Sequence, residues 1–244
     1  MFHSLTDVYA HIQGNPAVWI ALTLCAFIFG QWVFKKAKFN PLLSPIIVAV
    51  VSIIVVLLLF HVPYEQYFAG AQFIHFLLGP ATVALAVPIY EQRRRLAKLW
   101  LPLAIGILVG SAVAILSVLL LGWLFGLSSQ TLISMIPKSV TTPIAMGVSE
   151  TLGGLPDLTA VFVVITGISG SIIGRAVLRF GHVRADHVLG VSMGLTAHGM
   201  GTSASFQVSE KAGAFAGLAM GLSGVATAFL APLLAIPILK LMGM

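Results

Sequence analysis

Charged residues are absent from long stretches of this chain. Stretches without Asp, Glu, Lys or Arg include 39–64, 66–90, 99–137, 158–174 and 212–239. A helix that crosses a bilayer needs about 20 mostly apolar residues. Several of these stretches are long enough, so the pattern predicts a chain that crosses a membrane many times.

The apolar runs and the breaks between them predict eight helices. Their expected bounds are 17–34, 43–60, 71–91, 99–126, 132–152, 157–179, 187–209 and 213–239. We therefore expect an all-α, polytopic transmembrane helical bundle with about seven to eight spans. The whole chain, residues 1–244, is expected to form a single transmembrane domain.

Composition excludes an ordinary soluble domain. The chain is 59% hydrophobic and 8% charged, with a mean hydropathy of +1.05. A soluble domain usually carries about 25% charged residues, because it needs a wetted surface. The net charge of +6 reflects loop lysines and arginines that face the surface of a lipid bilayer. No basic groove with interleaved aromatic residues appears, so we expect no nucleic-acid partner.

Basic residues in the loops predict the orientation of the first half only. Three lysines in 35–38 and four basic residues in 93–98 place both loops in the cytoplasm and the N-terminus outside. If every later helix crosses the membrane in alternating direction, three arginines in 175–184 lie on the outer side, against the same rule. Either one segment within 132–209 re-enters the membrane without crossing it, or the charge bias is overridden there.

Three of the predicted helices contain residues that interrupt a regular helix. They are 71–91, with LGPATV and VPIY; 132–152, with Pro137 and Pro143; and 187–209, with TAHGMGTSAS. Irregular backbone at membrane depth is tolerated only where it is buried or lines a polar cavity. Broken helices also point to a transporter's binding site, because half-helix N-termini offer free N–H groups to anions. We therefore predict discontinuous, Pro- and Gly-broken helices around such a site.

Two short matches leave an internal repeat open. Residues 44–46 (Ser-Pro-Ile) resemble 142–144 (Thr-Pro-Ile), and residues 80–83 (PATV) resemble 137–140 (PKSV). The two matches require different offsets, so they do not mark one and the same repeat.

Lys138 is the main candidate for a binding group. It is the only charged residue between Lys98 and Glu150. An ammonium at membrane depth is costly unless it has a function or a partner. The hydroxyls of Ser139, Thr141 and Thr142 lie beside it, which is typical of a site for a small anion. The alternative is a lysine near a helix end that extends to the membrane surface.

The Gly-rich break near residue 200 supplies a second set of candidates. His198 is expected either to contact substrate and carry a proton or to be a buried histidine bonded to a backbone carbonyl. Gly199 and Gly201 either open a half-helix N-terminus towards an anion, together with Thr202, or simply permit close helix packing.

Three further residues are weaker candidates. Thr82 either contributes to the binding site or bonds to its own helix. Tyr90, next to a basic loop, is best explained as an aromatic anchor at the membrane interface. Glu150 is a candidate for binding a coupling ion, although it borders what looks like a loop.

Enzymatic functions find no support in the sequence. It has no Walker loop, no nucleophile elbow, no pair of intramembrane carboxylates and no Cys/His ligand set. We therefore expect neither catalysis nor a metal or other cofactor.

Three sequence blocks resemble the signature blocks of the LrgB/CidB family of antiholin-like membrane proteins. They are GPATVALAVPIYEQ at 79–92, PKSVTTPIAM at 137–146 and HGMGT at 198–202. The resemblance covers about residues 40–240, nearly the whole chain. In the third block the family more often has Ala where this chain has Gly199, a change between small residues.

The resemblance implies two family roles. One is transport of short monocarboxylates such as glycolate, glycerate or pyruvate, as in the plastid relatives that export glycolate and glycerate. The other is a holin/antiholin-like regulation of murein hydrolase export and autolysis, together with a small LrgA/CidA-type membrane partner. Both roles place the protein in the bacterial plasma (inner) membrane as a multi-pass protein.

Together, residues and resemblance predict a proton-coupled transporter of small monocarboxylates that works by alternating access, with the regulator as the alternative. The predicted substrate-binding residues are Lys138, Ser139, Thr141, Thr142, His198, Gly199, Gly201, Thr202 and Thr82, and the predicted coupling residues are His198 and Glu150. Large apolar helix faces favour a homodimer. The broken segments are expected to move against a scaffold built from 17–60 and from 99–126.

Overall fold

The structure is a computed structural model that describes residues 15–37, 43–77, 80, 83–84, 86–91 and 93–243. All regular structure in these ranges is helical, which confirms the predicted all-α fold. The chain divides into two compact units, residues 1–84 and 85–244.

The first unit contains three described helices: α1 (Pro16–Lys36), α2 (Pro45–Leu59) and α3 (Tyr64–Phe76). Asn15 and Ser44 cap α1 and α2, and each of these two helices starts with a proline, which needs no N–H partner there. The ring of Trp19 on α1 meets the edge of Tyr67 on α3, with centroids 6.1 Å apart. This ring pair joins α1 to α3.

The second unit contains eight described helices. They are α4 (Ala86–Glu91), α5 (Arg93–Lys98), α6 (Trp100–Leu124), α7 (Ser129–Met135), α8 (Thr142–Thr151), α9 (Pro156–Phe180), α10 (Asp186–Phe206) and α11 (Glu210–Leu241). Four described helices, α1, α6, α9 and α11, are long and apolar enough to cross a membrane, and α2 is a shorter apolar helix. The segments predicted as helices 132–152 and 187–209 each fold back on themselves.

Helices α7 and α8 form a re-entrant hairpin, here called hairpin 1 (residues 129–151). Helix α7 runs back along α6, since Leu132 contacts Gly122 and Ile136 packs against Ile115. After the turn at 137–141, α8 returns along α11 to the side from which α7 started.

A hydroxyl network holds both limbs of hairpin 1 against the start of α9. Thr159 Oγ1 lies 2.9 Å from Ser134 O on α7 and 2.7 Å from Ser149 Oγ on α8. Leu155 N donates to Ser134 Oγ at 2.8 Å. Both limbs of the hairpin therefore meet α9 at the same end, which a segment that crossed the membrane would not do.

Helix α10 is a second hairpin, here called hairpin 2 (residues 186–206). The helical conformation is broken at Ala197 (φ −123°, ψ 15°) and His198 (φ 40°, ψ −123°). Beyond the break the chain folds back, so that Gly201 lies against the carbonyl of Met193, eight residues earlier. At the open end, Gly190 contacts Ala212 and Phe206 contacts Gly213, so both limbs end beside the start of α11.

The two hairpins enter from opposite sides. The base of hairpin 1 meets the start of α9, whereas Arg175 near the end of α9 donates to the carbonyl of Ala204 in hairpin 2. Each hairpin is followed by a crossing helix, α9 or α11, so a hairpin-plus-helix unit occurs twice with inverted direction. This is the arrangement of inverted repeats in many transporters. The repeat lies within 129–241 and does not correspond to either of the short sequence matches.

Re-entry of hairpin 1 removes the conflict in orientation. Because α7 and α8 return to the side where α6 ends, α9 starts on that side and runs back towards the side where α6 starts. The arginines of 175–184 and the basic segment 93–98 therefore lie on the same side, in agreement with the positive-inside rule. Of the two explanations that the sequence leaves open, the structure selects re-entry.

Labelling of single cysteines tests this orientation. In a variant with Cys25 replaced by Ala, we expect Phe125→Cys and Thr151→Cys to react with an impermeant maleimide from one side of the membrane. We expect Phe180→Cys and Gln207→Cys to react only from the other side. If Phe125→Cys and Thr151→Cys were labelled from opposite sides, hairpin 1 would cross the membrane and the arrangement would be wrong.

Close packing of hairpin 2 on α11 gives a second test. A Cβ added at Gly194 would meet the backbone of Ala216, which cannot move aside cheaply. We expect Gly194→Ala to lower the free energy of unfolding by about 1–3 kcal/mol, as overpacking typically does. The measurement is the thermal unfolding midpoint in detergent. Gly221→Ala is the matched control, since nothing lies within 4 Å of its Cβ, and it should be neutral or slightly stabilising because Ala favours a helix.

Candidate functional site

Both hairpin turns lie near the middle of the long helices. The turn of hairpin 1 meets Ser111 and Ala114, close to the centre of α6. The break of hairpin 2 meets Gly167 and Gly170, close to the centre of α9. Since these helices are long enough to span a bilayer, the turns are placed at its mid-depth.

Lys138 lies in the turn of hairpin 1 and lines a cleft of about 600 Å³. The side chain is half-buried, and its Nζ donates to Ser139 Oγ at 3.3 Å. The backbone N–H donates to Met135 O at 3.2 Å, which fixes the start of the turn. None of the described residues that line the cleft is Asp or Glu. The ammonium therefore faces the cleft without a carboxylate among its lining residues to neutralise it.

Thr141 and Thr142 stand at the start of α8, three and four residues after Lys138. Thr141 occupies the N-cap position but makes no side-chain capping bond, and Pro143 follows within the first turn. The first N–H groups of α8 carry a partial positive charge and have no partner within the helix. This helix start lies in the same turn as Lys138 and adds to its attraction for an anion. The two threonines themselves are not among the residues that line the cleft.

His198 occupies the break of hairpin 2 and is 6% exposed. Its Nε2 lies 3.0 Å from Val163 O on α9, so the Nε2–H donates a hydrogen bond to this carbonyl. This bond fits the alternative interpretation of His198 as a buried histidine bonded to a backbone carbonyl. His198 O in turn accepts from Thr202 Oγ1 at 2.9 Å. His198 therefore fixes the break of hairpin 2 against α9.

The other predicted residues of hairpin 2 are divided between packing and a separate cavity. Gly201 packs against Met193 within the hairpin. Gly199 and Thr202 line a cavity of about 290 Å³, together with Ser203, Phe206 and Met220. The structure thus brings Lys138 and Ser139 to one space and Gly199 and Thr202 to another.

Of the weaker candidates, the structure describes Glu150 and Tyr90. Glu150 is exposed near the end of α8, at the base of hairpin 1. Thr82 lies outside the described residues. The Tyr90 ring is covered by the Arg93 guanidinium at 4.1 Å, which fits an interfacial aromatic residue beside a basic segment.

The sequence reasoning missed the polar wall of the cleft that α9 and α10 supply. Thr166, Ser169 and Gly170 of α9 line it opposite Lys138, and Thr196 lines it from hairpin 2. Ser169 Oγ donates to Ile165 O at 2.6 Å, and Thr196 Oγ1 donates to Ser192 O at 2.7 Å. The run TGISGS at 166–171, within an otherwise apolar helix, was the available signal.

This arrangement is suited to binding one small anion. A single ammonium is a compact charge with rotatable donors, whereas an arginine would form a more rigid bidentate contact. The neighbouring hydroxyls can reorient to donate to a carboxylate. The described ranges contain no group of three or more His, Cys, Asp or Glu side chains that could hold a metal ion.

Comparisons with known proteins place the chain among bacterial membrane proteins. Residues 23–236 match the LrgB-like family. The chain is 37% identical over 214 residues to YxaC of Bacillus subtilis (strain 168), covering 88% of this chain and 93% of YxaC. It is 32% identical over 215 residues to the "Holin-like protein CidB" of Staphylococcus aureus (strain Mu50), covering 88% and 93%. No solved structure shows a significant match.

These matches confirm the resemblance to the LrgB/CidB family. The family match covers most of the chain, and the aligned regions include both hairpins and the long helices between them. The apolar helices and the bacterial relatives together make this a multi-pass bacterial membrane protein. The chain belongs to the LrgB-like family.

Proposed function

We propose that this protein carries a small monocarboxylate, of the glycolate, glycerate or pyruvate type, across the bacterial membrane. The observation that carries the proposal is the position of Lys138. It lies at the turn of a re-entrant hairpin, lines a cleft that no described Asp or Glu lines, and is followed directly by a helix N-terminus. A monocarboxylate at Lys138 would neutralise a charge that is otherwise costly at this depth.

The opposed hairpins support a mechanism of alternating access. In this mechanism each hairpin closes the path from its own side, and Lys138 of one turn lines the same cleft as Thr196 beside the other break. Opening hairpin 2 requires the contacts of His198 with Val163 and of Arg175 with Ala204 to break. Hairpin 2 would also have to separate from α11, on which it packs closely at Gly190 and Gly194. Hairpin 1 is held to α9 by the buried Thr159 network.

The moving part of the carrier is larger than the broken segments alone. Helix α6 packs against hairpin 1 through Ile115, Leu119 and Leu132, and it falls in the same compact unit, 85–244. We therefore propose 85–244 as the unit that carries the substrate, with α6 included, and residues 17–60 as the scaffold. Assembly as a homodimer remains part of this proposal.

A second candidate function comes from the names of the relatives. Several proteins 31–32% identical to this chain are called "Holin-like protein CidB". A regulator of murein hydrolase export would act through assembly with an LrgA/CidA-type membrane partner. It would use exposed apolar helix faces, such as that of Ile28 and Trp32 on α1, rather than a saturable site. The two functions therefore differ in whether they need the Lys138 ammonium.

Neutralising Lys138 tests the carrier. We expect Lys138→Gln to abolish saturable uptake of labelled glycolate or pyruvate into proteoliposomes, because the amide carries no charge to hold a carboxylate. The measurement is the initial rate of uptake against substrate concentration. The variant should remain folded, since it removes a charge that is costly at this depth.

Lys240→Gln is the matched control for this test. Lys240 is an exposed lysine in the last turn of α11, away from the cleft, and its loss should leave uptake unchanged. Native uptake kinetics in Lys138→Gln would exclude the proposed binding site. Together with an effect on autolysis that persists in this variant, that result would favour the regulator.

Proton coupling through His198 is the second part of the carrier proposal. We expect a protonophore to abolish accumulation of the substrate by the native protein. His198→Gln should retain downhill uptake but lose accumulation driven by a pH gradient. The Gln amide places an N–H donor near the position of the imidazole Nε2 that bonds to Val163 O, but it does not titrate. Accumulation that survives the protonophore would contradict a coupling role for His198.

A further inference from the structure

A small cavity, separate from the cleft at Lys138, lies behind the turn of hairpin 1. This cavity has a volume of about 10 Å³ and lies between α6, the turn and α11. Such a volume accommodates roughly one water-sized particle. Four hydroxyl-bearing residues from the three elements line it: Ser111, Ser139, Ser223 and Thr227.

Ser111 indicates that this cavity has an occupant. Its side chain is 3% exposed, and Ser111 Oγ has no hydrogen-bond partner among the described residues. A buried hydroxyl without a partner is costly, and native proteins avoid it. Ser117 on the same helix shows the usual solution, since its Oγ donates to Ala114 O at 2.9 Å. Ser111 instead borders the cavity, where a bound particle would satisfy it.

The other hydroxyls offer oxygen lone pairs to the cavity. Ser223 Oγ donates its proton to Met220 O at 3.0 Å, which leaves its lone pairs free. Ser139 Oγ already accepts from Lys138 Nζ at 3.3 Å. The C-terminal end of α7, with its partial negative charge, leads into Ile136 and Pro137, which also line the cavity. Lone pairs and a helix C-terminus suit a cation, whereas the Lys138 ammonium on Ser139 opposes a cation while its own charge is unbalanced.

The ligand set selects a monovalent cation. The lining residues include no Asp or Glu, and Ca²⁺ and Mg²⁺ sites in proteins normally use carboxylates. Neutral oxygen ligands at the end of a half-helix are the groups with which transporters coordinate Na⁺. The cavity is also small enough to require an ion that has shed its water.

We propose that this cavity is a Na⁺ site that is coupled to anion binding at Lys138. Ser111, Ser139, Ser223 and Thr227 supply the oxygen ligands. The coupling rests on the proposed function. The Lys138 ammonium bonds to Ser139, one of the ligands, so it repels a cation in the cavity while its charge is unbalanced. A carboxylate bound to Lys138 cancels this repulsion, and Na⁺ must in turn strengthen carboxylate binding by the same factor.

Thermal unfolding of the purified full-length protein tests the site. Midpoints are compared in NaCl and in choline chloride of equal ionic strength, each with and without pyruvate or glycolate. We expect a rise in midpoint that is specific for Na⁺. The organic anion should increase the apparent Na⁺ affinity about tenfold or more, within the usual range of coupling between sites.

Two serine variants on one helix provide the control. Ser111→Ala should lose the Na⁺-specific rise, whereas Ser117→Ala should keep it. Ser111→Ala is expected to be no less stable than the native protein in choline chloride, because the hydroxyl that it removes has no protein partner among the described residues. Ser223→Ala, which removes a second ligand, should also lose the rise.

Several results would overturn the Na⁺ site. Equal midpoints in Na⁺ and choline would mean that the cavity holds water only. A Na⁺-specific rise that persists in both Ser111→Ala and Ser223→Ala would place the ion elsewhere. Saturable uptake that depends on Lys138 but not on Na⁺ would contradict the coupled Na⁺ site and agree with the proposed carrier function. Conversely, a Ser111-dependent rise in a protein that transports neither anion would support the site and reject the carrier.

Discussion

A polypeptide that turns inside a bilayer leaves backbone N–H and C=O groups without water to bond to. The structure of residues 129–206 depends on how the protein stabilises two such turns. The turn of hairpin 1 closes on itself, with Val140 N donating to Pro137 O at 3.2 Å. The break of hairpin 2 is fixed from outside, by the imidazole of His198 on the Val163 carbonyl. In both cases the hairpin is held against the same crossing helix, α9.

Helix α9 is therefore the element that the two hairpins share. Thr159 binds the base of hairpin 1 at one end, and Arg175 binds the second limb of hairpin 2 near the other. Between them, Gly167 and Gly170 let hairpin 2 approach closely, as small residues do between membrane helices. Any movement that opens either hairpin must change its contacts with α9, which gives the two sides of the membrane a common physical link.

The inverted arrangement places unlike chemistry at the two turns. Hairpin 1 brings a lysine, a helix N-terminus and serine hydroxyls to mid-depth, whereas hairpin 2 brings an imidazole that is committed to a carbonyl. The proposed anion site therefore lies in hairpin 1, and hairpin 2 contributes Thr196 to the wall of the cleft. The name "Holin-like protein CidB" belongs to relatives of this chain, whereas the proposed carrier function rests on the charge at Lys138.

The sequence by itself determined the membrane class, the long helices and the positions of both breaks, because these follow from local hydropathy and from Pro and Gly. The charge pattern also showed that one segment within 132–209 was inconsistent with simple alternation. Only the tertiary structure decided that hairpin 1 re-enters and that α10 folds back, since Leu132 against Gly122 and Gly201 against Met193 are contacts across distance in the chain. For the same reason, Lys138 and Ser139 share a cleft with Thr166 of α9, while Ser111 meets Ser223 around a separate cavity.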